Sequence, residues 1–146
     1  MKKEIKTMNN EIKGSDLQIG DYVLHENVIK MVVSIPTENK VSIRPRTQTY
    51  GSIYNTTLID EIKPLKIDGK ILTLNGFQFC HDPNYERYDE YVYNNITIKE
   101  CSEHENTCWT VQLVENKIEK LYITITYVHE LQHLLKIIGY NNLIKL

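Results

Sequence analysis

The segment that reads His-Glu-Leu-Gln-His, residues 129–133, carries the residue types of a zinc-dependent hydrolase. On a helix, two histidines four positions apart lie on one face, where their imidazoles can bind Zn²⁺. The glutamate between them can then deprotonate the metal-bound water. The spacing makes His129 and His133 candidate metal ligands and Glu130 a candidate general base.

The remaining ligands of a zinc protease are not found near this segment. A catalytic zinc site takes three protein ligands and a water, yet none of the thirteen residues after His133 is His, Asp, Glu or Cys. Lys136 stands where the extended metzincin pattern has a glycine. An upstream ligand such as His104 or Asp82 would be needed, and no spacing selects one. We therefore expect two solvent-facing histidines on an ordinary amphipathic helix, and we predict no cofactor.

A second group of potential zinc ligands consists of Cys101, His104 and Cys108, with Cys80 and His81 upstream. Thiolates and imidazoles can form a four-coordinate structural site, but the group lacks the paired C-x2-C spacing of strong zinc sites. Cys101 and Cys108 flank an acidic loop between two predicted strands, where they would face each other across the ladder. The alternatives are a zinc site or a cysteine pair that forms a labile disulfide under oxidation. A thiol nucleophile is disfavoured because no orienting Asn or Asp is identifiable.

A tyrosine-rich segment, residues 84–93, reads Asn-Tyr-Glu-Arg-Tyr-Asp-Glu-Tyr-Val-Tyr. Tyrosine offers a large contact area at low entropic cost, and recognition surfaces are enriched in it. The alternation in residues 91–93 equally fits a strand with one aromatic face buried. The segment predicts a partner-binding surface or a half-buried strand. Its candidate binding residues are Tyr85, Tyr88, Tyr91 and Tyr93.

The charges of the chain are nearly balanced, with 17 Lys plus Arg against 19 Asp plus Glu and a net charge of −2. A broad surface for nucleic acid needs a clustered positive excess, so we do not expect a nucleic-acid partner. Arg44 and Arg46 are the candidates for a local contact with phosphate.

The apolar runs and the number of cysteines indicate where in the cell the protein is located. No apolar run approaches the roughly 18 residues that span a bilayer, and no apolar signal segment follows the basic start. Three cysteines are too few for a disulfide framework, and the odd count fits a reducing compartment. We predict a cytoplasmic protein of a bacterial host cell with no membrane partner, and the virion is the alternative location.

Short strands dominate the first half of the chain. Residues 1–13 are polar without an apolar face, and we predict a flexible tail. Over residues 14–66, about five short apolar stretches alternate with turn residues. Closing such strands into a barrel removes exposed edges. Because the Gly-Asp-Tyr-Val of residues 20–23 resembles the first strand of SH3-like barrels, we predict a small SH3-like β-barrel subdomain over residues 14–66.

Residues 67–146 are predicted to form an α+β subdomain. Asp68 can cap a short helix that Asn75-Gly76 ends, and five strand-like stretches follow, with Asn116 in the turn of the last hairpin. The helix predicted over residues 128–138 ends at Gly139. We expect its apolar stripe to pack across an antiparallel sheet. The stripe consists of Leu131, Leu134, Leu135 and Ile138.

Three segments, in this order, carry a resemblance to a known group of proteins. They are residues 16–23 (Asp-Leu-Gln-Ile-Gly-Asp-Tyr-Val), residues 62–65 with 71–77, and residues 127–134 (Tyr-Val-His-Glu-Leu-Gln-His-Leu). The chain resembles a family of small hypothetical proteins from Bacteroidetes, their phages and conjugative elements. The resemblance implies an origin and an architecture but no activity.

The sequence favours a binding role over catalysis because no catalytic set is complete. We expect a non-enzymatic accessory protein of a phage or mobile element that modulates a host process or host defence through a protein partner or a small ligand. A zinc-dependent hydrolase and a virion or assembly component are the alternatives. Self-association into a homo-oligomer is a further possibility.

Overall fold

The computed structural model describes residues 12–45, 55–81, 89–103, 106–141 and 143–146. The chain divides into two compact units, Met1–Leu65 and Lys66–Leu146. Of the candidate binding and metal residues, Tyr85, Tyr88, Arg46 and His104 lie outside the described residues, as does nearly all of the predicted tail.

The first unit contains one antiparallel sheet of five strands in the order β4-β3-β2-β1-β5. Short 3-10 turns, Gly14–Asp16 and Ile59–Glu61, precede β1 and β5. Among the residues described, β4 and β5 do not pair, so this sheet is not closed and the predicted SH3-like barrel is not confirmed. The strands are β1 (Tyr22–His25), β2 (Val28–Thr37), β3 (Lys40–Pro45), β4 (Asn55–Leu58) and β5 (Ile62–Pro64).

Turn chemistry and burial explain the first sheet. Glu26 and Asn27 both have positive φ, 51° and 61°, which is the requirement of a two-residue type I′ hairpin between β1 and β2. Before β1, an Asp21 carboxylate oxygen accepts the backbone N–H of Gln18 at 2.7 Å and closes a tight turn. The core is aliphatic and consists of Ile12, Leu17, Val23, Val32, Val41, Ile43 and Ile62.

The second unit contains a five-stranded antiparallel meander in the order β10-β9-β8-β7-β6 and two α-helices. Two antiparallel sheets with two helices confirm the predicted α+β class. No helix in the described ranges is long and apolar enough to cross a membrane. The elements are α1 (Gly69–Leu74), β6 (Gln78–His81), β7 (Asp89–Tyr93), β8 (Ile96–Glu103), β9 (Asn106–Glu115), β10 (Ile118–Ile125) and α2 (Val128–Ile137).

The strand register gives the second sheet two different faces, because directly opposed residues share a face. One row across the sheet is Phe79, Tyr91, Ile98, Val111 and Ile123; we call this side the apolar face. The opposite side, which we call the polar face, carries the row Cys80, Glu90, Lys99, Thr110 and Thr124.

Local signals set the ends of the helices and the last hairpin. An Asp68 carboxylate oxygen accepts the backbone N–H of Ile71 at 2.8 Å and caps α1, as predicted. Gly76 follows α1 and Gly139 follows α2, with φ of 89° and 98°. A residue in the left-handed conformation at this position lets the last carbonyl groups of the helix accept hydrogen bonds. Asn116, with φ of 52°, turns the hairpin between β9 and β10, as predicted.

Candidate functional site

The carboxylate of Glu130 is engaged at the start of α2. Its Oε1 atom accepts the backbone N–H groups of Thr126, at 3.2 Å, and Tyr127, at 3.0 Å. A helix start leaves backbone donors without intrahelical partners, and a glutamate in the third helical position can reach back to satisfy them. Glu130 therefore has a structural role that accounts for its position without a metal-bound water.

The two histidines of this segment have different environments. His129 is buried, with 6% of its surface exposed, and its ring stacks on Tyr127 with centroids 5.8 Å apart. His133 is half-buried, and the two imidazole centroids are 5.8 Å apart at an interplanar angle of 70°. The expectation of two solvent-facing histidines is therefore wrong for His129. The buried side of α2 also includes Val128, so it is wider than the apolar stripe alone.

The described residues do not assemble a metal centre around these histidines. No group of three or more His, Cys, Asp or Glu side chains within the ranges given above could hold a metal ion. His104 and Asp82, the two upstream ligands named from the sequence, both lie outside those ranges. A zinc-dependent hydrolase stays the alternative to a binding role, and metal analysis tests it.

The structure brings Cys101 and Cys108 together. They are directly opposed in the ladder between β8 and β9, as the hairpin alternative predicts. The Cys108 thiol donates to the backbone carbonyl oxygen of Cys101 at 2.8 Å, and the Thr110 hydroxyl donates to the Cys101 sulfur at 3.3 Å. Both cysteines are half-buried thiols on the polar face.

The two described tyrosines of the tyrosine-rich segment lie in β7 and take part in aromatic packing. The ring of Tyr91 lies 5.2 Å from Phe79 and 5.8 Å from Trp109, centroid to centroid. The ring of Tyr93 lies 5.4 Å from Phe77. Both side chains are half-buried, which corresponds to the strand alternative for residues 91–93. Binding of a partner at Tyr91 and Tyr93 stays a prediction.

Tyr91 is also a titratable group in a constrained position. Burial raises the pKa of its hydroxyl, and the carboxylates of Asp89, Glu100 and Asp68 raise this pKa further. A methyl group added at Gly69 would overlap the Tyr91 hydroxyl. The absence of a side chain at Gly69, the first residue of α1, therefore leaves room for the Tyr91 hydroxyl.

Arg44 lies near the end of β3, opposite Met31 of β2, and is half-buried. Its neighbour in the predicted phosphate contact, Arg46, is outside the described residues. Phosphate binding at Arg44 and Arg46 stays a prediction.

The second sheet has an exposed edge that no sequence pattern indicated. β10 ends the strand order, and within the described part of the chain it pairs only with β9. Ile118, Tyr122 and Ile123 are 57%, 65% and 39% exposed. We call these three residues the β10 edge. The alternating apolar pattern predicts a strand, but only the sheet order shows that this strand lies at an edge.

The second unit also has a surface cavity of about 540 Å³ that the sequence did not predict. The Tyr140 hydroxyl donates to the Asn95 side-chain oxygen at 3.1 Å, and the Tyr140 ring meets Tyr93 edge-on with centroids 5.7 Å apart. No spacing in the sequence could indicate this site, since it combines a strand with two helix ends. The cavity is lined by Leu74, Asn75, Tyr93, Gly139, Tyr140, Asn141, Leu143 and Lys145.

No protein-family model, curated protein or solved structure matches the chain.

Proposed function

We propose that this chain is a non-enzymatic binding protein that contacts another protein by strand addition at the β10 edge. The observation that carries the proposal is the exposure of large apolar side chains on both faces of one terminal strand. Tyr122 is opposite Gln112 on the polar face, and Ile123 is opposite Val111 on the apolar face. Soluble proteins usually protect such edges with charges, proline or a covering element.

The composition of β10 indicates the chemistry of its partner. Residues 121–125 read Leu-Tyr-Ile-Thr-Ile and contain no charge. In strand addition, main-chain hydrogen bonds supply affinity and alternate side chains supply specificity. The fitting partner is an extended, uncharged segment rich in β-branched or aromatic residues. Lys120 and Glu119 lie at the other end of β10. They would favour a register in which the charged residues of the partner strand lie away from the apolar residues 121–125.

The decisive experiment places charges on the β10 edge and on a matched surface. The variant Ile118→Lys/Tyr122→Lys is compared with wild type and with Ile137→Lys, a control on α2 at a side chain that is 81% exposed. Partners are captured from a Bacteroidetes lysate, and hydrogen exchange of β10 is measured in the purified complex.

We expect wild type and Ile137→Lys to hold the same partner, and the β10 variant to bind it at least about tenfold more weakly. The β10 amides should be protected in the complex. Equal binding by the β10 variant, or unchanged β10 exchange, would contradict the proposal. A native mass measurement identifies the partner as a second copy if the complex is a homodimer.

The cavity favours a second candidate function, the binding of a small ligand. Its volume lies within the range of small-molecule sites, roughly 300–1,000 Å³. Tyr93 and Tyr140 supply aromatic walls, and Lys145 is the charged residue of the lining. These features fit a small planar ligand that carries a negative charge. Amide spectra with benzoate, benzamide and benzylammonium test this, and benzoate should shift Gly139 and Asn141 most. Absence of shifts at these residues would exclude the site for this ligand class.

We also propose an architecture for the first unit and an origin for the chain. A four-stranded meander, β1 to β4, a fifth strand that pairs with β1, and a 3-10 turn between β4 and β5 support an SH3-like barrel for the first unit. The resemblance described above supports an origin in a phage or mobile element of Bacteroidetes and action in the host cytoplasm on a host process or host defence. A virion or assembly component is the alternative, and co-purification with particles would identify it.

A further inference from the structure

Cys101 and Cys108 occupy opposed positions in neighbouring antiparallel strands. Opposed residues in such a ladder have Cα atoms roughly 4.5–5.5 Å apart. A disulfide needs a Cα separation of roughly 4.4–6.8 Å. The backbone of β8 and β9 therefore already holds these residues at a separation that a disulfide can bridge.

The side chains are also on the same side of the sheet. The Thr110 hydroxyl is 3.3 Å from the Cys101 sulfur, and the Cys108 sulfur is 2.8 Å from the Cys101 carbonyl oxygen. Both sulfur atoms therefore lie on the polar face, close to Cys101 and Thr110. Rotation about the Cα–Cβ bonds is sufficient to bring the two sulfurs into contact.

We propose that Cys101 and Cys108 form a dithiol that is oxidised by small disulfides, with glutathione disulfide as the representative oxidant. One thiolate attacks a sulfur of glutathione disulfide, whose S–S bond breaks as one glutathione leaves and takes up a proton. The second cysteine, as its thiolate, attacks the protein sulfur of this mixed disulfide and expels the second glutathione. Two electrons pass from the protein to the oxidant, and a Cys101–Cys108 disulfide remains.

Cys80 provides an internal control. It lies on β6, which is two strands away from β8 in the sheet order, and adjacent strands are roughly 4.8 Å apart. Its thiol is exposed. Cys80 therefore reacts with glutathione disulfide to a mixed disulfide that neither of the other cysteines can resolve within the same folded chain.

The experiment uses the full chain and the variant Cys80→Ser. Cys101→Ser and Cys108→Ser are each made in the Cys80→Ser background. Each is incubated with glutathione disulfide, trapped with an alkylating reagent and weighed by mass spectrometry. Circular dichroism before oxidation shows whether each variant is folded.

For Cys80→Ser we expect a product that has lost two hydrogen atoms, carries no glutathione and melts several degrees higher than the reduced form, because the new bond restricts the unfolded chain. Dithiothreitol should reverse both changes. A stable glutathione adduct, no reaction, or a disulfide-linked dimer in the Cys80→Ser protein would overturn the proposal. The Cys101→Ser and Cys108→Ser proteins should stop at the glutathione adduct, and formation of an adduct-free oxidised monomer by either would also overturn it.

Discussion

The side-chain oxygen Oε1 of Glu130 accepts the backbone N–H of Tyr127 at 3.0 Å, three residues earlier in the chain. The same atom accepts the N–H of Thr126. A residue that looks like a general base in the sequence is therefore a helix-capping residue in the structure.

The capping role predicts how stability responds to substitution of Glu130. Glu130→Ala should lower the free energy of unfolding by about 1 kcal/mol, because two backbone donors lose their acceptor. Glu130→Gln retains an acceptor oxygen and should cost less than half of that. Urea unfolding measures both variants. Equal stability of Glu130→Ala and wild type would show that the cap contributes nothing.

The close approach of Gly69 to Tyr91 predicts a coupled pair. Gly69→Ala should destabilise the chain by about 1–3 kcal/mol, since the added methyl group overlaps the Tyr91 hydroxyl. In a Tyr91→Phe background the same substitution should cost less, because the hydroxyl, which is the nearest atom, is gone and only the ring carbon Cζ, 2.8 Å from the added methyl group, still lies within 3 Å. A double-mutant cycle by urea unfolding measures this coupling. Additive effects of the two substitutions would contradict the predicted contact.

The raised pKa of Tyr91 predicts a pH dependence of stability. Burial is the main cause, and the Asp89, Glu100 and Asp68 carboxylates add to it. A tyrosine whose pKa is higher in the folded state binds its proton more tightly there, so its contribution is complete below the ordinary pKa of about 10. This contribution is lost as the pH rises through the folded-state pKa.

Unfolding measured between pH 8 and about pH 11 should therefore show stability falling above about pH 10. The fall should be smaller in Tyr91→Phe and unchanged in the control Tyr122→Phe, whose side chain is 65% exposed. Tyr127, whose pKa is raised by burial and by Glu130, supplies a remaining part of the dependence. An identical fall in Tyr91→Phe and wild type would contradict the assignment.

The histidine arrangement predicts the outcome of metal analysis. Because Glu130 is bonded to the backbone and no third donor accompanies His129 and His133 among the described residues, we expect protein purified without added zinc to contain far less than one equivalent. Elemental analysis of wild type and His133→Ala measures this. Stoichiometric zinc that disappears in His133→Ala would revive the hydrolase hypothesis.

Features that depend on a few consecutive residues could be predicted from the sequence. The Asp68 cap, the Gly139 terminus of α2 and the Asn116 turn all follow from side chains acting on backbone within about four positions. Strand alternation gave the opposition of Cys101 and Cys108 as one of two alternatives, and the ladder between β8 and β9 has this register. The burial of His129 could not be predicted, since it depends on what surrounds α2.

Short-range backbone preferences are sufficient to predict the α+β class, most strands and the helix ends from the sequence, and they gave the opposed cysteine pair as one of two alternatives. Three properties are visible only in the folded chain: β10 is an edge, Tyr93 and Tyr140 line one cavity, and His129 is buried. These properties depend on strand order and on contacts between residues distant in the chain. A local pattern carries no information about which surface its neighbours will cover.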